Sequence, residues 1–250
     1  MLLFRQAHKI AQANFRRQAA RSTLYYYCSQ SPTPAAAAIS LSAAFTNTNH
    51  LHHPSNRNQS FSTTMTSSSS ASVHGIFHKG TSTMTYIVSC PSTKSTLIID
   101  SVLDYDASSG RTTNTHNEAI VQYCTDNNLN VQYILESHVH ADHLTGAQFL
   151  KEKFPTAKTG IGANVTKVQE TFSKIFNYTQ KDLKTDGSQF DVLLNDGDKF
   201  NLGELEVKVL NTPGHTPACV CYVVGKDAVF TGDTIFMPDF GTGEFCIVAL

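Results

Sequence analysis

From Ser72 onward the chain alternates between short apolar runs and polar breaks. SVHGIFH from Ser72, TMTYIVSC from Thr83 and STLIID from Ser95 predict three short strands separated by turn residues. SVLDYDASSGRT, residues 101–112, reads as a polar loop. Thr115 and Glu118 fit a capping box, and Ile120, Tyr123 and Cys124 follow at helical spacing. NVQYILE, residues 130–136, predicts a buried strand. Leu144, Ala147, Leu150 and Phe154 predict a helix, and Val165, Val168, Phe172, Ile175 and Phe176 trace a second helical face. Leu205, Val207 and Val209 alternate with Glu206 and Lys208, a half-buried strand that NTPGHTP breaks. ACVCYVV, the turn at Gly225-Lys226 and AVFTGD predict a hairpin. No internal repeat is visible. Strands, then helices, then strands again, with polar clusters at strand ends, predict a layered α/β domain over residues 72–250.

Residues 1–71 differ in kind. Their only charged side chains are Arg5, Lys9, Arg16, Arg17, Arg21 and Arg57, and the first acidic residue of the chain is Asp100. Of 19 Lys and Arg, 13 remain from residue 72 on, against all 20 Asp and Glu, a net charge of −7 there. A basic, acid-free leader that passes into Ser-, Thr-, Ala- and Asn-rich text has the composition of an organelle transit peptide followed by a disordered stretch. Leu3, Ala7 and Ile10 would line one face of a short helix. The expectation is import into the mitochondrial matrix, or a cytoplasmic protein if translation starts at Met65. The basic charge lacks the aromatic interleaving of a nucleic-acid binder, and no apolar run approaches the ~20 residues of a membrane helix. The six cysteines are scattered without a CxxC pair, which argues against a disulfide framework or a thiolate zinc site. Cys219 and Cys221 read as small buried hydrophobes along a strand.

The chemistry concentrates in ESHVHADHLTG, where His138, His140, Asp142 and His143 fall within six positions directly after a predicted strand. Crowded imidazoles gain little from one another unless a divalent metal takes up their lone pairs. His215, pinned by Pro213, Gly214 and Pro217, and Asp233, at the end of AVFTGD, are further ligand-type residues in loops at strand ends. Together the three fragments predict a metal site. His74, His78 and His116 lack such a context and read as structural. His8, His50, His52 and His53 lie in the leader.

At HVHADH, TPGHTP and FTGD the chain resembles the metallo-β-lactamase superfamily, from about Ser72 to about Gly241. IIDSVLDYD, SGRT, HVHADHLTGA, DGSQFD, TPGHTPACV and GDTIFMPDFGT are most similar to its persulfide dioxygenase branch, which includes β-lactamase-hydrolase-like sulfur enzymes. The resemblance implies a four-layer αββα sandwich with metal at the edge between its two sheets. It implies one Fe(II) held by His138, His215 and Asp233, and oxidation of a glutathione-type persulfide by O2 to sulfite. His140, Asp142 and His143 match positions that complete a two-metal site in relatives such as glyoxalase II, a thioester hydrolase. The alternative is therefore such a hydrolase with two zinc ions, in which Asp142 takes a catalytic part by helping to hold the second metal or to orient water. A homo-oligomer is compatible with either reading.

The resemblance ends at GTGEFCIVAL, where the family pattern continues into further helices, a strand and a last histidine. The expectation is a sandwich truncated at its C-terminus, with weak solubility, low metal occupancy and little turnover, or an inactive shortened form.

Overall fold

The computed structural model describes residues 70–236. The leader through residue 69, the start at Met65 and the final GTGEFCIVAL lie outside the described residues.

Two sheets face each other. The larger has six strands in the order β1 (Ser72–His78), β2 (Thr83–Ser89), β3 (Ser95–Ile99), β6 (Asn130–Leu135), β8 (Lys158–Gly162) and β9 (Val192–Leu194). Its first three strands are antiparallel neighbours, and β3, β6, β8 and β9 run parallel. The parallel strands put their C-terminal ends, and the loops that leave them, at one edge. The second sheet is an antiparallel meander of β10 (Lys199–Leu202), β11 (Leu205–Asn211), β12 (Val220–Val224) and β13 (Ala228–Phe230).

Alternation along the strands builds both cores. Leu97 and Ile99 of β3 point toward the second sheet, where Val207, Val209, Tyr222 and Val224 meet them in the core between the sheets. Ile98, between them, points the other way with Ile87 and Ile134, against helix α1 (Thr115–Asp126) through Ile120 and Cys124 and helix α2 (Ala147–Lys153) through Leu150. Strand β3 is buried along its whole length because both faces are covered. The described residues thus supply the helix, sheet and sheet layers of an αββα sandwich. Helix α3 (Val165–Ile175) buries Val165 and Val168 and leaves Phe172 and Ile175 exposed.

Several local expectations need correction. The supposed polar loop at 101–112 is a hairpin of β4 (Val102–Asp106) and β5 (Arg111–Thr113), and β4 also pairs with the two-residue β7 (Leu144–Thr145). Asp106 turns the chain by accepting from the Ser108 amide at 2.9 Å and the Ser109 hydroxyl at 2.6 Å, with Gly110 at φ 69°. Leu144 therefore belongs to β7, and α2 starts at Ala147. No capping box forms at α1. Asn114 is the cap residue without a side-chain bond, and Asp104 of β4 accepts from the His116 amide at 3.0 Å instead. Strands β8, β9 and β10 lacked a readable pattern. In KTGIG the glycines serve contact rather than strand propensity, since a Cβ on Gly162 would come within 2.7 Å of the Ala218 carbonyl.

The three histidines read as structural do have such partners. His74 stacks on Tyr123 with ring centroids 3.8 Å apart. His78 donates from Nε2 to Asp104 at 3.1 Å. His116 is buried, with Nε2 2.9 Å from the Thr85 hydroxyl, which itself donates to the Asp100 carbonyl. Cys219 and Cys221 are both buried, Cys221 within β12 and Cys219 just before it. No disulfide forms among Cys90, Cys124, Cys219 and Cys221.

Candidate metal centre

Strand β6 delivers the first ligand-type residues. Beyond Leu135 the chain is held by three bonds: the Glu136 amide to the Gly160 carbonyl at 2.9 Å, the Tyr222 hydroxyl to the Glu136 carbonyl at 2.8 Å, and the Val220 amide to the Ser137 carbonyl at 2.9 Å. The last two tie the loop to the second sheet. His138, His140 and His143 are thereby buried, with 2%, 8% and 4% of their surface exposed, and form the floor of the site. The β11–β12 loop brings His215, and the 3-10 turn Gly232–Thr234 after β13 brings Asp233. His215, Asp233 and Asp142 remain open to solvent at the rim.

The residues gather into two adjoining groups. In the first, Asp233 Oδ2 lies 3.5 Å from His215 Nε2 and 3.8 Å from His138 Nε2. In the second are His140, Asp142 and His143, with the His138 and His140 ring centroids 4.1 Å apart. Within each group the potential ligand atoms lie within 4.8 Å of one another. Bonds of about 2.1 Å to a shared ion put its ligands on the order of 3–3.5 Å apart, close to this spacing. The donor chemistry fits as well. His143 Nδ1 faces its neighbour's carbonyl at 3.2 Å, and its buried Nε2 has no hydrogen-bond partner. A buried lone pair without a partner is what a metal ligand presents before the ion is counted. The residues present therefore fit one metal in the first group and can accept a second beside it.

Two residues that the motifs did not single out complete the site. Asp100 sits just after β3 with φ 55°, a left-handed conformation that aspartate tolerates better than most side chains. Its Oδ1 accepts from the Ser137 amide at 2.7 Å and lies 3.1 Å from His140 Nε2. A ligand imidazole that gives its outer N–H to a carboxylate has its tautomer and orientation set, and its inner nitrogen is left for a metal. Glu136 is the second, its Oε2 3.4 Å from the same Nε2. Burial alone would raise the Asp100 carboxyl, but the nearby charge and N–H of His140 hold it down to about 2. Burial pushes Glu136 up, and the Asp100 charge adds to that rise. A lone Asp at the end of an apolar strand, or a Glu one residue before a Ser-His pair, gives little signal in a sequence. Their roles appear only when β3 and β6 lie side by side.

The profile of the Metallo-beta-lactamase superfamily matches residues 79–248, more than half of the chain. The protein belongs to this superfamily. Among curated relatives, "Glyoxylase B2" of Dictyostelium discoideum is 47% identical over 164 residues, which covers 66% of this chain and 56% of that protein. "Persulfide dioxygenase ETHE1, mitochondrial" of Mus musculus is 25% identical over 171 residues, with 68% and 55% covered. Among solved structures, ETHE1 from Myxococcus xanthus is similar with a TM-score of 0.51 and 26% identity, over 66% of this chain and 58% of that one. The chain spans about half the length of these two curated relatives.

Proposed function

We propose that the protein is a persulfide dioxygenase-like metalloenzyme that uses one Fe(II) and O2 to oxidise a glutathione-type persulfide. The overall change is persulfide plus O2 plus water to thiol, sulfite and two protons. The observation that carries this reading is the convergence of His138, His215 and Asp233, two imidazoles and one carboxylate on one side of an open rim. A facial set of that kind suits non-haem Fe(II) and leaves positions free for small reactants. Bound iron would supply the one-electron chemistry with O2 that no side chain here can provide. The protein's own part is to hold the ion on a buried floor and to admit a thiol-sized substrate past His215 and Asp233. Likeness to proteins named ETHE1 supports this reading.

A second reading rests on His140, Asp142 and His143. Their grouping beside the first set, and the unpartnered His143 Nε2, suit a dinuclear zinc hydrolase acting on a thioester, with Asp142 as ligand or water-orienting residue. The relative named Glyoxylase B2 supports it. Metal analysis of purified protein, run beside oxygen uptake with glutathione persulfide and hydrolysis of a glutathione thioester, separates the two. About one iron with oxygen uptake is the expected result. Two zinc ions with thioester cleavage would overturn it.

The leader is proposed to direct import into the mitochondrial matrix, on the strength of its acid-free, arginine-bearing composition. Residues 1–64 fused to a fluorescent protein are expected in mitochondria. A diffuse cytosolic signal would favour a start at Met65.

A further inference from the structure

Four of the six ligand-type residues ride on one loop, between Glu136 at the end of β6 and Thr145 in β7. The two ends of that loop are joined to each other through side chains. The Thr145 hydroxyl donates to Glu136 Oε1 at 2.5 Å. The same hydroxyl accepts from the Ala147 amide at 3.0 Å, at the first turn of α2. Glu136 is 3% exposed, and its other oxygen, Oε2, faces the outer nitrogen of His140 at 3.4 Å without a hydrogen bond of its own. One buried carboxylate therefore touches both the threonine that accepts from the first amide of α2 and a ligand-type imidazole.

We propose that Glu136 and Thr145 are positioning residues: their side-chain bond clasps the ligand loop shut before any metal arrives, and so sets metal affinity. The inference rests on the metal-binding reading of the cluster. An open loop would have to be ordered by the ion itself, and the entropy of ordering would be subtracted from binding. A clasped loop presents His138, His140 and His143 already in place. The closure is local, at the loop's neck, while the sheets on either side are held by their own ladders. Removing it should thus affect the metal more than the fold.

Co(II) is the probe, because its visible d–d absorption reports ligand number as well as binding. Titrations of the full chain are run for wild type, Thr145→Val, Thr145→Ser, Glu136→Leu and Glu136→Gln, with metal-free unfolding midpoints for each. Thr145→Val and Glu136→Leu are expected to weaken Co(II) binding by about 10-fold or more, as loss of partners around metal ligands does elsewhere. Thr145→Ser keeps the hydroxyl, and Glu136→Gln keeps an oxygen to accept from it, so both should stay near wild type in affinity and spectrum. The proposal is overturned if Thr145→Val binds Co(II) like wild type. It is also overturned if affinity falls only in step with metal-free stability and serine does not restore it. A wild-type chain that binds no Co(II) at all would overturn the metal-binding reading itself, and the clasp with it.

Discussion

Burial drives the imidazoles of His138, His143 and His116 toward their neutral forms. Desolvation comes first in each case and the charge of a neighbouring histidine second, bringing His138 down to about 2 and His143 to about 4, with His116 lowered in the same direction. His140 moves the other way. Burial opposes its charge, but Asp100 and Glu136 against its outer nitrogen hold it well above the usual imidazole value. For the three depressed histidines, only the unfolded chain takes up protons below its value of about 6.5, so stability is present above that pH and falls as pH drops. For His140 the stabilising contribution is full below about 6.5 and is lost as pH rises toward its folded value. The contribution of these four histidines to the stability of the metal-free protein is therefore expected to be greatest near pH 6.5 (about the imidazole reference value) and to fall on both sides. Thermal unfolding in chelator across pH tests this, and His140→Gln should remove the alkaline decline. A stability difference between wild type and His140→Gln that does not shrink as pH rises through neutrality would contradict it. Among the ligand-type residues, His138→Ala, His215→Ala and Asp233→Ala are each expected to abolish metal retention, measured after gel filtration, while His140→Ala is milder. Equal loss in all four would count against a mononuclear centre.

At the scale of elements, the turn after β13 shows how closely the two sheets must approach. Gly232 has φ 47°, and a Cβ there would lie 2.6 Å from Ser137 Cβ, in the residue whose hydroxyl is 2.9 Å from His138 Nδ1. Gly232→Ala combines a left-handed backbone for alanine with that collision. A loss of about 2 kcal/mol or more in denaturant unfolding is expected, together with weaker metal retention, because Asp233 is the next residue. Retention unchanged in a folded variant would show that the turn has slack. The element boundaries that pattern alone placed well were those of β1, β2, β3, β6, β11 and β12, whose apolar periods are dense. The β4–β5 hairpin did not read as strands, because Asp104, Asp106 and Arg111 look like loop residues until their partners across the turn and at α1 are known.

Across the whole molecule, the inner face of the six-stranded sheet reaches further than its described cover. Val73 and Phe77 of β1 lie on the same face as their neighbours Val88 and Met84, yet they are 45% and 55% exposed, whereas Leu97 in the middle of the sheet is fully buried. Leu97→Ala is expected to cost about 2–5 kcal/mol. Phe77→Ser is expected to cost under about 1 kcal/mol. Urea unfolding of the full chain checks both, and a large loss at Phe77 would mean that a further part of the protein lies on this face. Among the described residues no helix is long and apolar enough to cross a membrane.

Three things were determined along the chain itself: the ligand-type residues, their order and the strands that carry them. Histidines two and three residues apart after an apolar strand are a local fact, and a local fact survives in one dimension. The same holds for the proline- and glycine-pinned His215 and for the aspartate that ends AVFTGD. What only the tertiary structure decided was the company these residues keep. Asp100 and His140 are forty residues apart and meet because β3 and β6 pair in parallel. Glu136 acquires two partners because β7 folds back beside β4. His138 and Asp233 meet because the Ser137 carbonyl accepts from Val220 of the opposite sheet. Local propensity carries no record of such pairings. They follow from burying the apolar faces of two sheets together, and the polar groups at the sheet ends are then obliged to find partners from distant parts of the chain.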